Sequence, residues 1–204
     1  AQSHSEAARC CGAVNTLLWL ETDCLHGENT DGIGLVRDLE GNLGIALEGL
    51  RLLIVGAGGA TRGILAPLLE ASVQSVWIAN RSEARAQDLA RTFEGLGSIR
   101  ASGFEALRGH SFDLILNATA ASLSGSLPDI PNGIVAKGGH CYDLAYAKDP
   151  TPFVRWGRTQ GASSSADGIG MLVEQAAEAF FLWHGVRPDT APVIKALVGG
   201  QRIA

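Results

Sequence analysis

Leu52-Leu53-Ile54-Val55-Gly56-Ala57-Gly58-Gly59-Ala60-Thr61-Arg62-Gly63 is the stretch whose reading decides the fold. Its apolar start is short and continuous, the pattern of a strand buried on both faces. The run passes straight into glycines and then into the helical pattern GILAPLLEA, 63–71. In such a turn the first glycine permits a tight reversal. The second lets backbone amides approach a pyrophosphate lying at the positive end of the helix. Gly56, Ala57, Gly58, Gly59 and Ala60 are therefore candidate phosphate-binding residues. The spacing is not a strict G-x-G-x-x-G, because Thr61 stands at the third position, and a glycine turn that serves packing alone is the competing reading.

Downstream the same alternation continues. SVWIAN (75–80) reads as a strand, SEARAQDLARTF (82–93) as an amphipathic helix, and FDLILN (112–117) and GGHCYDL (138–144) as further strands. Short apolar strands separated by helices predict a parallel sheet covered on both faces, an α/β doubly wound, Rossmann-like domain. After its second strand an NAD-binding fold usually carries Asp or Glu for the ribose hydroxyl. Here the residues are Asn80-Arg81-Ser82, followed by Arg85. A carboxylate would repel a 2′-phosphate, whereas two guanidiniums and a hydroxyl would bind it through charge-assisted hydrogen bonds. The competing reading is a solvated i, i+4 pair, but cations in the first turn of a helix oppose its dipole. The pattern selects NADP(H) over NAD.

Upstream, AVNTLLWL (13–20) reads as a buried strand, Glu21-Thr22-Asp23 as a turn and 24–26 as a second short strand. LVRDLEGNL (35–43) is helical, with Leu35, Val36 and Leu39 on one face, and Gly41, Asn42 and Gly44 end it. Asn15 lies in the first of these strands and Asp31 in NTDGIG. An isolated strand Asn is often a satisfied core amide, and an Asp before a helix is often its cap. The last third holds one long helix, GMLVEQAAEAFFLWHG (170–185), stopped by Gly185 with Pro188 beyond.

With 204 residues, 46% hydrophobic and 18% charged, the chain can bury a real core. A net charge of −5 offers no global field for nucleic acid or an anionic membrane. Cys10, Cys11, Cys24 and Cys141 form no CxxC pair, so reduced thiols are expected rather than disulfides or a metal site. No apolar run is long enough to span a membrane, and the N-terminus lacks the apolar core of a signal peptide. A cytoplasmic location is expected. The first residue is Ala1 rather than Met, which leads to the expectation of further residues upstream.

Eight blocks together resemble the shikimate dehydrogenase family: GAVNTL (12–17), ENTDGIG (28–34), GAGGATRG (56–63), NRSEAR (80–85), LNAT (116–119), YDLAY (142–146), TPF (151–153) and GMLVEQAAEAFFLWHG (170–185). They occur in family order over nearly the whole chain. The resemblance implies NADPH-dependent, reversible reduction of 3-dehydroshikimate to shikimate on the route to chorismate and the aromatic amino acids. It implies that Asn15, Asp31, Tyr142 and Gln175 bind the substrate, with Asp31 the catalytic partner of a lysine that shuttles the proton. The backbone at Gly168, Met171 and Leu172 would place the nicotinamide, and Thr119 would border the cofactor. Ala120 and Ala121 stand where the family often has hydroxyl residues. Residues 32–167 would form the NADP-binding domain. Residues 1–31 and 168–204 would form the remnant of an α/β substrate-binding domain, with a cleft between the two. The lysine and the carboxylate-binding serines lie upstream of GAVNT in the family, so this stretch alone is expected to bind NADPH and to turn over weakly or not at all. A monomer or homodimer is expected, with no nucleic-acid or membrane partner. The alternatives are a quinate/shikimate dehydrogenase using NAD and a non-catalytic NADP-binding module.

Replacing Arg81 and Arg85 by Ala is expected to weaken NADPH binding by about tenfold or more, at 1.5–3 kcal/mol for a hydrogen bond to a charged group. NADH binding should scarcely change. Fluorescence titration with both nucleotides checks this, and equal losses would refute the assignment.

Overall fold

The computed structural model of the chain describes residues 2–21 and 23–199. Thr22, in the turn expected at 21–23, lies outside them, as do Ala1 and residues 200–204 of the expected terminal segments. In chain order the elements are β1 (Ser3–His4), α1 (Glu6–Cys11), β2 (Thr16–Glu21), β3 (Cys24–Glu28) and α2 (Asp31–Arg37), which runs on into a π-helical turn at Asp38–Asn42. Then follow β4 (Arg51–Val55), α3 (Gly59–Glu70), β5 (Ser75–Ala79), α4 (Glu83–Thr92), β6 (Ile99–Ser102) and β7 (Phe112–Asn117). The chain continues through β8 (Val135–Asp143), α5 (Pro152–Thr159), β9 (Ser164–Asp167), α6 (Ile169–His184) and α7 (Ala191–Val198). These form two compact units: Ala1–Ala46 with Arg62–Leu68 and Ile169–Ala204, and Leu47–Thr61 with Leu69–Gly168.

In the first unit β3 is the central strand of three, parallel to β1 and antiparallel to β2. β2 starts at Thr16 rather than Ala13, so Asn15 sits in the bend before the strand and not within it. Its N–H donates to the Glu28 carbonyl at 3.0 Å, which leaves the side chain free of the pleat. α2 and α6 pack at very close range. A Cβ built on Gly34 would come within 2.8 Å of the Gln175 backbone nitrogen. One on Gly32 would meet the Pro67 ring and, at 2.8 Å, the Gly63 carbonyl. That carbonyl lacks its usual helical partner because Pro67, four residues on, has no N–H. The glycines of NTDGIG therefore serve helix packing. Gly34 packs against α6 and Gly32 against α3, and the first compact unit takes in residues 32–46 and 62–68, which the sequence reading places in the NADP-binding domain.

The same packing buries two carboxylates of α6. Glu178 pairs with Arg37 and Arg187. Glu174 accepts from Thr190 Oγ1 at 2.6 Å and from Asn42 Nδ2 at 3.1 Å. Buried charges persist only when paired in this way.

The second unit is a six-stranded, wholly parallel sheet in the order β6-β5-β4-β7-β8-β9. Successive strands add on one side from β4 to β6, then on the other from β7 to β9. This is the doubly wound arrangement, whose ligands sit outside the carboxyl ends at the point of reversal. The strands end in one row, pairing Ser102 with Ala79, Ala79 with Val55, Val55 with Asn117, Asn117 with Asp143, and Asp143 with Asp167. Leu53, Ile115 and Cys141 lie side by side in one core face with Val55, Phe153 and Trp156. Burial pushes the Cys141 thiol up to about 12, an inert group. α3 begins at Gly59, four residues before the apolar pattern, because the glycine turn itself winds into the helix.

Gly34→Ala is expected to destabilise the chain by about 1–3 kcal/mol, since the clash is with backbone. Gly41→Ala, where a Cβ meets nothing within 4 Å, should be neutral or slightly stabilising. Urea unfolding of the two variants separates close packing from general glycine effects.

Candidate functional site

The turn between β4 and α3 carries the first group of candidates. Gly56 has φ +112°, and a Cβ there would stand 3.1 Å from the Ala118 carbonyl, so the loops leaving β4 and β7 touch at this glycine. Thr61, in place of a third glycine, is fully buried and donates its hydroxyl to the Gly56 carbonyl at 2.9 Å. That bond explains why Thr is tolerated: it ties the turn to the first turn of the helix. At Gly58 and Gly59 a Cβ would meet nothing within 4 Å. Among the described residues that space is open, and an exposed amide run at a helix N-terminus fits a phosphate. Ala57 and Ala60 lie in the same turn.

At the end of β5, Asn80 donates from Nδ2 to the Ser82 carbonyl at 2.9 Å, shaping the entry to α4. Ser82 occupies the N-cap position without making a cap bond, so its hydroxyl is not consumed by the helix. Arg81 and Arg85 are exposed, and neither belongs to an ion pair among the described residues.

At the ends of β7 and β8 lies a network that sequence reasoning missed. Asp143 and Asn117 are fully buried. Asp143 Oδ1 accepts from Asn117 Nδ2 at 2.9 Å and from the Ala145 N–H at 3.2 Å. Its Oδ2 accepts from Ser122 Oγ at 2.5 Å and Thr151 Oγ1 at 2.6 Å. Asn117 Oδ1 in turn accepts from the Thr119 N–H at 3.2 Å and its hydroxyl at 2.8 Å. Burial raises the Asp143 carboxyl above its ordinary range, and the hydrogen bonds from Ser122, Thr151, Ala145 and Asn117 pull it partly back. The available signal was a polar residue closing each apolar strand, Asn117 and Asp143. Ser122, following Ala120 and Ala121, is the hydroxyl of this loop that bonds Asp143.

The second group lies in the first unit, where residues 15, 31 and 175 meet. Asn15 Oδ1 accepts from Thr16 Oγ1, the Thr30 N–H and Thr30 Oγ1 at 3.1, 3.0 and 3.2 Å. Three donors fix which end of the amide faces inward. Its Nδ2 therefore points to Asp31 Oδ1 at 2.8 Å, with Gln175 Oε1 at 3.5 Å. Asp31 is the first residue of α2, not its cap; that position belongs to Thr30, and the Asp31 side chain turns to Asn15 instead. Its N–H donates to Asn29 Oδ1 at 3.1 Å. Burial raises the Asp31 carboxyl, opposed by hydrogen bonds from Asn15 and Asn29. A half-buried carboxylate held by amide donors is the kind of group that accepts a hydrogen bond from a substrate hydroxyl.

Tyr142 is a correction. It is 0% exposed in the core of β8 and presents no surface to a ligand, because it lies inside a strand whose two faces are both buried at that end. Tyr146, beyond the strand, is 48% exposed. Gly168 follows β9, its N–H donating to the Ala145 carbonyl at 3.3 Å. Met171 and Leu172 are half-buried in the first turn of α6. The three lysines lie on β8 (Lys137), in the segment after it (Lys148) and on α7 (Lys195).

Known proteins of one family resemble the chain. The family described as shikimate/quinate 5-dehydrogenase matches residues 39–124, and the shikimate 5′-dehydrogenase C-terminal domain matches 168–198. The shikimate dehydrogenase (NADP(+)) of Methylococcus capsulatus is 60% identical over all 204 residues, which span 73% of that relative. Among solved structures, an Ael1 enzyme from Pseudomonas putida superimposes with a TM-score of 0.91 at 48% identity, over 97% of this chain and 72% of its own. Shikimate 5-dehydrogenase from Thermus thermophilus, in complex with NADP(H) and shikimate, gives 0.81 at 35% identity, over 95% and 70%.

Asp143→Ala strands several buried donors and is expected to destabilise by roughly 2–4 kcal/mol, whereas Asp143→Asn, facing two hydroxyls that can accept, should cost far less. Because the folded carboxyl is raised, its contribution is full at low pH and is lost as pH rises through the shifted value. The Asn variant should lack that decline, which urea titrations from acid to neutral pH would reveal.

Proposed function

The chain belongs to the shikimate dehydrogenase family, and we propose that it interconverts 3-dehydroshikimate and shikimate with NADP(H). The observation that carries the reading is the convergence of Asn15, Asp31 and Gln175, drawn together from 160 residues of sequence into one polar cluster. A polyhydroxylated ring needs converging amide and carboxylate partners, and a bare nucleotide-binding module needs none of them. When bound, NADP(H) supplies or takes up the hydride.

In this reading Gly56–Ala60 receive the pyrophosphate, and Arg81, Arg85 and Ser82, beside Asn80, receive the 2′-phosphate. Supporting this are the unfilled space over Gly58 and Gly59 and the unpaired state of both guanidiniums among the described residues. Thr119, anchored through Asn117 to Asp143, borders the cofactor, and Gly168, Met171 and Leu172 place the nicotinamide. Asp31 accepts a hydrogen bond from a ring hydroxyl while Asn15 restrains its other oxygen. Burial raises its carboxyl above the ordinary range, and the Asn15 and Asn29 amides oppose that rise. The unit containing β4–β9 is read as the NADP-binding part and the other as the substrate-binding part. A reducing, cytoplasmic location is supported by four free cysteines. The NAD-linked quinate and non-catalytic alternatives are not favoured, since the relative at 60% identity is an NADP(+) shikimate dehydrogenase by name.

Calorimetric titration of shikimate into the NADP⁺-loaded chain is expected to show one saturable site. Asp31→Asn or Asn15→Ala should weaken it by about tenfold or more. Nicotinamide absorbance, followed in the same samples, reports turnover. Absence of a saturable shikimate site, or one indifferent to both variants, would overturn the reading.

A further inference from the structure

At the opposite, amino-terminal end of the parallel sheet lies a cavity of about 450 Å³ that the proposed reaction does not use. Arg51, Ser75, Trp77, Ser98, Arg100 and His110 line it, and no Asp or Glu is among the lining residues. Its two cations differ. Arg51 is committed: Nε and Nη2 donate to the two oxygens of Asp113 at 2.9 and 2.8 Å, and its backbone N–H adds a third bond at 2.9 Å. That pairing holds the Asp113 carboxyl below its ordinary range. Arg100 belongs to no ion pair among the described residues; its guanidinium stands 5.8 Å from the centre of the Trp77 ring. Trp77 is held by a bond from Nε1 to Ser102 Oγ at 2.8 Å and by the edges of His110 and Phe112, at 4.7 and 5.7 Å between centroids.

We propose that this cavity is a second binding site, for a small monoanion whose carboxylate is borne on a flat ring. One uncompensated guanidinium matches a single negative charge, and serine hydroxyls provide further donors. Half-buried Trp77, with exposed His110 against its edge, suits a planar apolar body. β4 separates the cavity from the glycine turn by five residues, about 17 Å, so the two sites do not compete.

The probe is benzoate, titrated by calorimetry into the chain with and without NADPH. One saturable site below about 10 mM is expected, unchanged by NADPH. Arg100→Ala should weaken it by about tenfold or more, and the neutral isostere benzamide should not bind. Arg100 is exposed, so the variant should fold, and unchanged NADPH affinity verifies that it has. The proposal is overturned by no saturation, by equal binding of benzamide, by full affinity in Arg100→Ala, by displacement of benzoate with NADPH, or by inorganic phosphate binding where benzoate does not.

Discussion

Strand order reverses between β4 and β7, and the rest of the second unit follows from that reversal. Loops leaving two adjacent parallel strands ordinarily run to the same side. At a reversal they part and leave a crevice at the carboxyl ends. Here the two loops meet at Gly56, where a left-handed backbone and the absence of a side chain let the Ala118 carbonyl approach. At Gly58 and Gly59 the turn is open among the described residues, and the six strand ends stand level beside it. Asp143 and Asn117 lock the far side, each spending its polar atoms on the loops that follow β7 and β8.

The first unit depends on an analogous absence of side chain. α2 and α6 approach so closely that Gly34 lies against the backbone of Gln175. That contact brings Gln175 within reach of Asn15 and sets Asp31 beside both. The buried pairs of Glu174 and Glu178 with Arg37, Arg187, Asn42 and Thr190 hold the same helices from behind. Site geometry and helix packing are thus one constraint: a methyl group at Gly34 would move both.

Charge is distributed with a consistent logic. Among the described residues, no buried side-chain nitrogen or oxygen lacks a hydrogen-bond partner. Where folding uses a charge, as at Asp143, Glu178 or Arg51, the partner is internal. Arg81, Arg85 and Arg100 instead lie exposed at strand ends or beside them, outside every ion pair of the described residues. Positions that folding does not explain are where ligands are assigned.

Sequence alone determined the alternation of strands and helices from Leu52 onward, the glycine turn and the preference for a 2′-phosphate. Those features are local: apolar periodicity, flanking glycines and the residue type that ends a strand. It also nominated Asn15, Asp31 and Gln175, though by resemblance, since no spacing relates residues 15 and 175. Tertiary structure alone decided that Asn15 precedes its strand, that Tyr142 is core rather than ligand surface, and that Asp143 organises the loops. Tyr142 and Asp143 are neighbours in a strand buried on both faces, and a strand's alternation does not reveal which faces are covered. The cavity at the other end of the sheet was equally illegible. Its walls come from four strands, and only their register brings Arg100, Trp77 and His110 together.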